Sequence, residues 1–232
     1  MGKGFGGFVL KAMGGSDYML TVTSTQTITD KYIRIGFTGG GLLSDHPIHP
    51  TQWVRLWIPQ GDDVVQRGYT LCDPDASSDT FHIEFAIHNG PAADWALSAE
   101  PGDEIAATVM GSKFEMPEAT PSEWVLFGDT ASLAAINSLL DTIGDVPTRL
   151  WIEWQYPSDK DLPLHATAAT TVTWVERVND GQGLREAAEH LTLSPDAVAW
   201  VACDAMTTRT ITKSLRAHGL PKASIKGRAY WK

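Results

Sequence analysis

Between Tyr18 and about Val109 the apolar residues come in short runs broken by turns, among them MLTVTSTQTI, YIRIGFTG, WVRLWIP, TFHIEFAIH and EIAATVM. Several of these alternate apolar with polar positions and favour β-branched and aromatic residues, the pattern of antiparallel strands with one buried face. The spacing predicts a small antiparallel β-barrel. PAADWALSAEPGD departs from it and reads as one short helix, entered through Pro91 and left through Pro101-Gly102-Asp103. The segment CDPDASSD reads as a turn.

The prolines of KFEMPEATPSE end this pattern and divide the chain into domains over 1–116 and 117–232. Beyond them the period changes. WVLFGD is a buried-strand run, and TASLAAINSLLDTIG puts Leu133, Ile136, Leu139, Leu140 and Ile143 on one helical face. RLWIEW, TVTWV and AVAWVAC repeat the strand signal, LREAAEHL and TTRTITKSLRAHG supply helices, and SIKGRAYW closes as a final strand. Strands alternating with helices predict an α/β domain with a parallel sheet, which binds nucleotides at the carboxyl ends of its strands.

At 232 residues, 43% of them hydrophobic and 20% charged, the chain can bury a core in each domain, which excludes extensive disorder. A net charge of −10 disfavours nucleic acid as a partner of the whole molecule. No stretch approaches the roughly 18 apolar residues of a membrane span, and the opening MGKGFGGFVLKAMGG lacks an apolar secretory core and cleavage site. A cytoplasmic protein with no membrane insertion is therefore expected. Cys72 and Cys203, without CxxC spacing or paired histidines, read as reduced thiols rather than metal ligands. Charge is uneven, because no acidic residue follows Asp204 while Arg209, Lys213, Arg216, Lys222, Lys226, Arg228 and Lys232 do. Such a basic end can hold an anion locally, or can simply be a solvated helix face and edge strand.

Four stretches carry candidate chemistry. In RGYT, Arg67 can hold a phosphate, Tyr69 can cover a planar ring and Thr70 can bond to a ring nitrogen; the alternative is an ordinary strand end. In HNGPAADWA, a strand passes from His88 through Gly90 and Pro91 into a helix whose first amides, at Ala92 and Ala93, form an anion cradle; Trp95 could equally be a plug in the barrel. In WVLFGDTASLAAI, Gly128 permits a close backbone approach and Asp129 and Thr130 open a helix, although GxGxxG spacing is absent. Glu153, about 25 residues past that glycine, stands where an acidic group reads a ribose diol, or is a solvated strand end. In WVACDAMTTRT, Cys203 and Asp204 end a strand in the same layer, placing the thiol at the mouth of a crevice. There is no GxSxG, HExxH or GK[ST] phosphate loop, so hydrolase chemistry is disfavoured.

Taken in order, these stretches resemble the siderophore-interacting proteins, flavin-dependent ferric-siderophore reductases of the ferredoxin-reductase-like superfamily. Members look like R-x-Y-T-x-R, H-x-x-G-P-A-x-x-W-A leading to P-G-D, G-D-E-T-A-x-P-A-I, W-x-A-G-E and G-Y-W. Here the same places read RGYTLC, HNGPAADWA with PGD, GDTASLAAI, WVACD and AYW. The resemblance implies FAD as cofactor, with Arg67 facing its pyrophosphate, Tyr69 against the isoalloxazine and Thr70 near flavin nitrogen 5. It further implies that His88, Gly90, Pro91, Ala92, Ala93 and Trp95 form the phosphate-receiving helix start. Gly128, Asp129, Thr130, Cys203 and Asp204 would then border NADH or NADPH.

The implied reaction passes a hydride equivalent from NAD(P)H to flavin and single electrons to a ferric siderophore or chelate, releasing iron(II). Lys213, Lys226 and Arg228 are the expected contacts for an anionic substrate, and the same basic patch suits an acidic ferredoxin as donor. The departures are Cys72 in place of the second family arginine, followed by Asp73, and Thr130, Ala134 and Cys203 for Glu, Pro and Gly. They leave two alternatives: a general NAD(P)H:flavin or ferredoxin-type reductase, and a degenerate family member that binds a siderophore without electron transfer.

Overall fold

The computed structural model describes residues 16–232, in two compact units that divide between Glu115 and Met116. The opening MGKGFGGFVLKAMGG, read above for the absence of a secretory signal, lies outside the described residues.

The N-terminal unit contains β1 (Ser16–Thr29), β2 (Tyr32–Thr38), the short α1 (Leu42–Asp45), β3 (Trp53–Gln60), β4 (Asp63–Thr70), β5 (Cys72–Asp75), β6 (Thr80–Ala86), α2 (Pro91–Ser98) and β7 (Glu104–Val109). Its seven strands form one antiparallel sheet in the order β4-β3-β7-β1-β2-β6-β5. Alternation decides which side chains point inward. Ile33, Ile35 and Phe37 of β2 join Phe81, Ile83 and Phe85 of β6 in the core, while Arg34 and Glu84, register partners between them, face out. By strand order β4 and β5 are opposite edges, yet only the buried Leu71 separates them in sequence. The sheet must therefore curl until its edges come together at that corner without pairing, giving a half-barrel.

CDPDASSD is more than a turn, since its first four residues form β5. Cys72 pairs with His82 and Asp75 with Thr80, and the Asp75 carboxylate closes the hairpin by accepting from Ser77 and Ser78. Neither is α1 signalled by periodicity. A distant carboxylate builds it, with Asp79 accepting from the amides of Gly41 at 2.6 Å and Leu43 at 2.9 Å.

The C-terminal unit runs β8 (Trp124–Asp129), a 3-10 turn (Thr130–Ser132), α3 (Leu133–Ile143), β9 (Thr148–Trp154), β10 (Thr170–Glu176), α4 (Gln182–Glu189), β11 (Val198–Ala202), α5 (Ala205–Ala217) and β12 (Ile225–Gly227). The five strands are parallel, in the order β10-β9-β8-β11-β12. All five apolar positions named above for α3 are buried. On one face α4 and α5 share a core with Val125, Phe127, Ala199 and Val201. Gly128 points to the other face, where Ile136 of α3 closes on it. Chain order reverses between β8 and β11, so their carboxyl ends flank the switch point of a doubly wound sheet.

Candidate functional site

In the N-terminal unit β4 ends at Thr70, which is buried opposite Trp53 of β3. Two residues earlier than Tyr69, and so on the same face of the strand, Arg67 is exposed; its Nη1 donates to the adjacent Gln66 carbonyl at 2.8 Å, and among the described residues no carboxylate pairs with it. The Tyr69 ring lies 4.5 Å from that of Phe85 on β6, and Phe85 lies 6.0 Å from Trp95 of α2. Phe85 thus ties the end of β4 to the helix. Burial pushes the Tyr69 hydroxyl up to about 12, so it stays protonated across the physiological range.

The helix start carries no side-chain cap. Gly90 has φ 148°, a conformation that L side chains rarely adopt, and α2 begins at Pro91 with no side-chain cap. The amides of Ala92 and Ala93 consequently have no capping oxygen, while their small side chains are buried beneath. His88 is exposed, with Nδ1 3.0 Å from the Asn89 carbonyl oxygen. At Cys72 the cation nearby is Arg34, which is paired with both Asp73 and Glu84 on the outer face. It does not serve as a free replacement for the family arginine. Burial, with Glu84 beside it, raises the Cys72 thiol well above its ordinary value, so the group is a neutral thiol.

The C-terminal unit brings Gly128, Asp129 and Thr130 together with Cys203 and Asp204 at the switch point, since Gly128 pairs in register with Ala202. The space beside Gly128 serves packing rather than a ligand: a Cβ there would sit 2.5 Å from Ile136 Cδ1 and 2.6 Å from Ser132 Oγ. Cys203 is only 1% exposed and packs in the core, not at a crevice mouth. Asp129 accepts from the Ser132 amide at 3.2 Å and from Trp231 Nε1 at 2.7 Å. Burial lifts its carboxyl to about 6, with the Trp231 hydrogen bond acting in the opposite direction. Glu153, 3% exposed, is no solvated strand end. Arg177, just past β10, pairs with it and stands 3.8 Å from Asp204, so one guanidinium serves the ends of β9 and β11. Asp129, Glu153 and Asp204 do not converge as a metal-binding group.

Of the basic residues, Lys213 shares an exposed face of α5 with Arg209 and Arg216, lining a groove beside Gly227 and Ala229. Lys226 lies on β12 opposite Trp200, and Arg228 donates its amide to the Val201 carbonyl at 2.9 Å; neither lines that groove. The residues sequence reasoning passed over are Phe85, Arg177 and Trp231. AYW was noted as a motif without a role, and Arg177 follows a strand with no local signal that it reaches two strands away.

Family models match both units. Residues 17–111 match the siderophore-interacting FAD-binding domain and residues 121–232 match the siderophore-interacting protein model. The mycobactin import ATP-binding/permease protein IrtA of Mycobacterium tuberculosis is 32% identical over 240 residues, covering 100% of this chain and 28% of that protein. The chain thus spans little more than a quarter of that relative's length. Among solved structures, the siderophore-interacting protein of Acinetobacter baumannii has a TM-score of 0.81 at 21% identity, over 94% of this chain and 90% of the other. A ferredoxin NADP+ reductase from Neisseria gonorrhoeae with bound FAD and NADP has a TM-score of 0.65 at 15% identity, over 93% and 99%. At these identities the likeness to the solved structures is one of fold.

Proposed function

The chain belongs to the siderophore-interacting protein family, and from that premise we propose that it is a cytoplasmic FAD-dependent ferric-siderophore reductase, supplied with electrons by NADH, NADPH or a ferredoxin. The observation that carries this reading is a set of features in the N-terminal unit: an exposed Arg67 with no carboxylate partner among the described residues, the Tyr69 ring packed on Phe85, and α2 starting at Gly90 without a side-chain cap. Each part suits a piece of FAD: a cation and main-chain amides for the pyrophosphate, an aromatic face for the fused rings. The chemistry FAD supplies when bound is conversion of a hydride donor's electron pair into the single electrons that iron(III) accepts.

The chain's own contribution is position. Phe85, itself packed on Trp95, supports the Tyr69 ring and so helps to orient it. Thr70, next in the strand, offers a hydroxyl from a buried position. Arg209, Lys213 and Arg216 supply positive charge on α5 for an anionic ferric chelate or an acidic protein donor. The siderophore preference is tested by trapping iron(II) during anaerobic reduction of several ferric chelates by the FAD-loaded protein. Faster release from a ferric siderophore than from ferric citrate supports it, and equal rates point to a general flavin or ferredoxin-type reductase.

A further inference from the structure

The carboxyl mouth of the parallel sheet is roofed by two of the chain's own side chains. The backbone at Trp231 runs alongside the end of β11, forming a parallel bridge with Asp204, and its carbonyl accepts from Ala205 at 3.0 Å. From there the indole crosses the end of β11 to reach Asp129 at the end of β8, 2.7 Å away. Those are the two strands between which the chain order reverses, so the indole lies over the place a doubly wound sheet offers a dinucleotide. Arg177 comes from the opposite side and stacks 4.7 Å from the centre of the Trp231 ring while holding Glu153. The roof is only partly sunk, because Trp231 remains 38% exposed.

Beneath the roof two acceptors are left without a hydrogen-bond donor. Glu153 Oε1 and Asp204 Oδ2 are buried and accept no hydrogen bond, on residues 3% and 6% exposed, although the Arg177 guanidinium stands 3.8 Å from that Asp204 oxygen as an ion pair. Buried acceptors are ordinarily satisfied, and hydroxyl donors such as those of a ribose diol would satisfy these. The indole therefore covers a place that still has hydrogen-bonding capacity to fill.

We infer that Trp231 is a donor-specificity residue: its indole holds the switch point closed on Asp129, and a nicotinamide dinucleotide is admitted only when the indole moves away. The inference rests on the reading of the chain as a flavin reductase that can draw on a diffusible dinucleotide. It makes the intact chain a poor binder of NAD(P) and leaves a protein donor unaffected, because that donor needs no room at the switch point.

The test is calorimetric titration of NAD+ and NADP+ into the FAD-loaded full chain, as wild type, Trp231→Phe and Trp231→Ala. Trp231→Phe keeps an aromatic ring while losing the N–H donor and some of the indole's bulk, which guards against a folding defect in the alanine variant. The expected result is tighter binding of at least one dinucleotide by roughly tenfold or more in Trp231→Ala, equivalent to about 1.4 kcal/mol, with Trp231→Phe in between. The difference in indole fluorescence between wild type and Trp231→Phe should also change as dinucleotide binds. Affinity that is equal or weaker in both variants, or absent in all three proteins, overturns the inference. Failure of the wild type to bind FAD counts instead against the reductase reading, so the two failures are separable.

Discussion

Arg67 and Arg177 stand at the two candidate sites and are treated in opposite ways by the fold. Among the described residues, the exposed Arg67 side chain ends on nothing stronger than a neighbouring carbonyl, two residues before a supported aromatic ring in the unit that also holds the uncapped start of α2. Arg177 is committed to Glu153, Asp204 and the face of Trp231, above buried carboxylates. The first region is built and left open, whereas the second is built and filled from within. The difference teaches that a family's fold can persist in both halves while one leaves its unsatisfied groups uncovered and the other roofs them with its own side chains.

Removing the two arginines should break this contrast most visibly. Arg177→Met leaves Glu153 and Asp204 buried without their cation, and losing one partner of a buried pair costs about 3–5 kcal/mol. A clear fall in the denaturation midpoint, confined to residues 116–232 in hydrogen-exchange measurements, is the expected outcome. Arg67→Ala should instead leave stability within about 0.5 kcal/mol of wild type, as surface changes do. Its effect appears in FAD affinity, weaker by roughly ten- to a hundredfold in a fluorescence titration, the scale of a lost charge-assisted phosphate contact. If the two substitutions have the same profile, the distinction between open and filled sites fails.

Gly128→Ala tests whether the glycine serves packing or a ligand. Its Cβ would meet Ile136 and Ser132, so a stability loss of about 1–3 kcal/mol is expected with FAD affinity unchanged. A stable variant with altered dinucleotide binding would assign the glycine to a ligand instead.

Acidity sharpens the contrast with a smaller effect. Asp129 has a folded-state value near 6, raised from 3.8, so the folded protein binds more protons than the unfolded chain between those values. Stability from this group therefore increases as pH falls from 7 towards 4, and Glu153, also raised by burial, acts in the same direction. The charged neighbours Glu153, Arg177, Asp204 and Arg185 all belong to the same unit. In the N-terminal unit the raised Glu84 and the lowered His82 oppose one another. Hydrogen exchange at several pH values should show the C-terminal unit gaining protection on mild acidification, with Asp129→Asn flattening the response.

How far the sequence could be read follows from the range over which each feature is determined. The strands of the half-barrel and the buried face of α3 were legible because alternation and helical period are local properties. The parallel sheet followed from the succession of strands and helices. By contrast, β5 and α1 escaped because Asp75 and Asp79 create them through side-chain hydrogen bonds that propensity does not weigh. At the cradle, Arg67, Tyr69 and Gly90 could be named from the motifs, but Phe85 beneath them is 16 residues from Tyr69 and reads as ordinary core. Glu153 stands at the strand end where a ribose partner is expected, but the strand end does not disclose that Arg177 pairs with one of its oxygens. Cys203 followed the strand into the core for the same reason that Ala199 and Val201 did.

The central claim is that the N-terminal cradle holds FAD through Tyr69 and Arg67. It is tested most directly by titrating FAD into the purified chain while following the visible absorbance band, with Tyr69→Ala as the comparison. The account predicts a perturbed flavin band that saturates at one FAD per chain, with affinity reduced roughly tenfold or more in Tyr69→Ala. A flavin spectrum unchanged by the wild-type protein, or one perturbed equally by the variant, would contradict it.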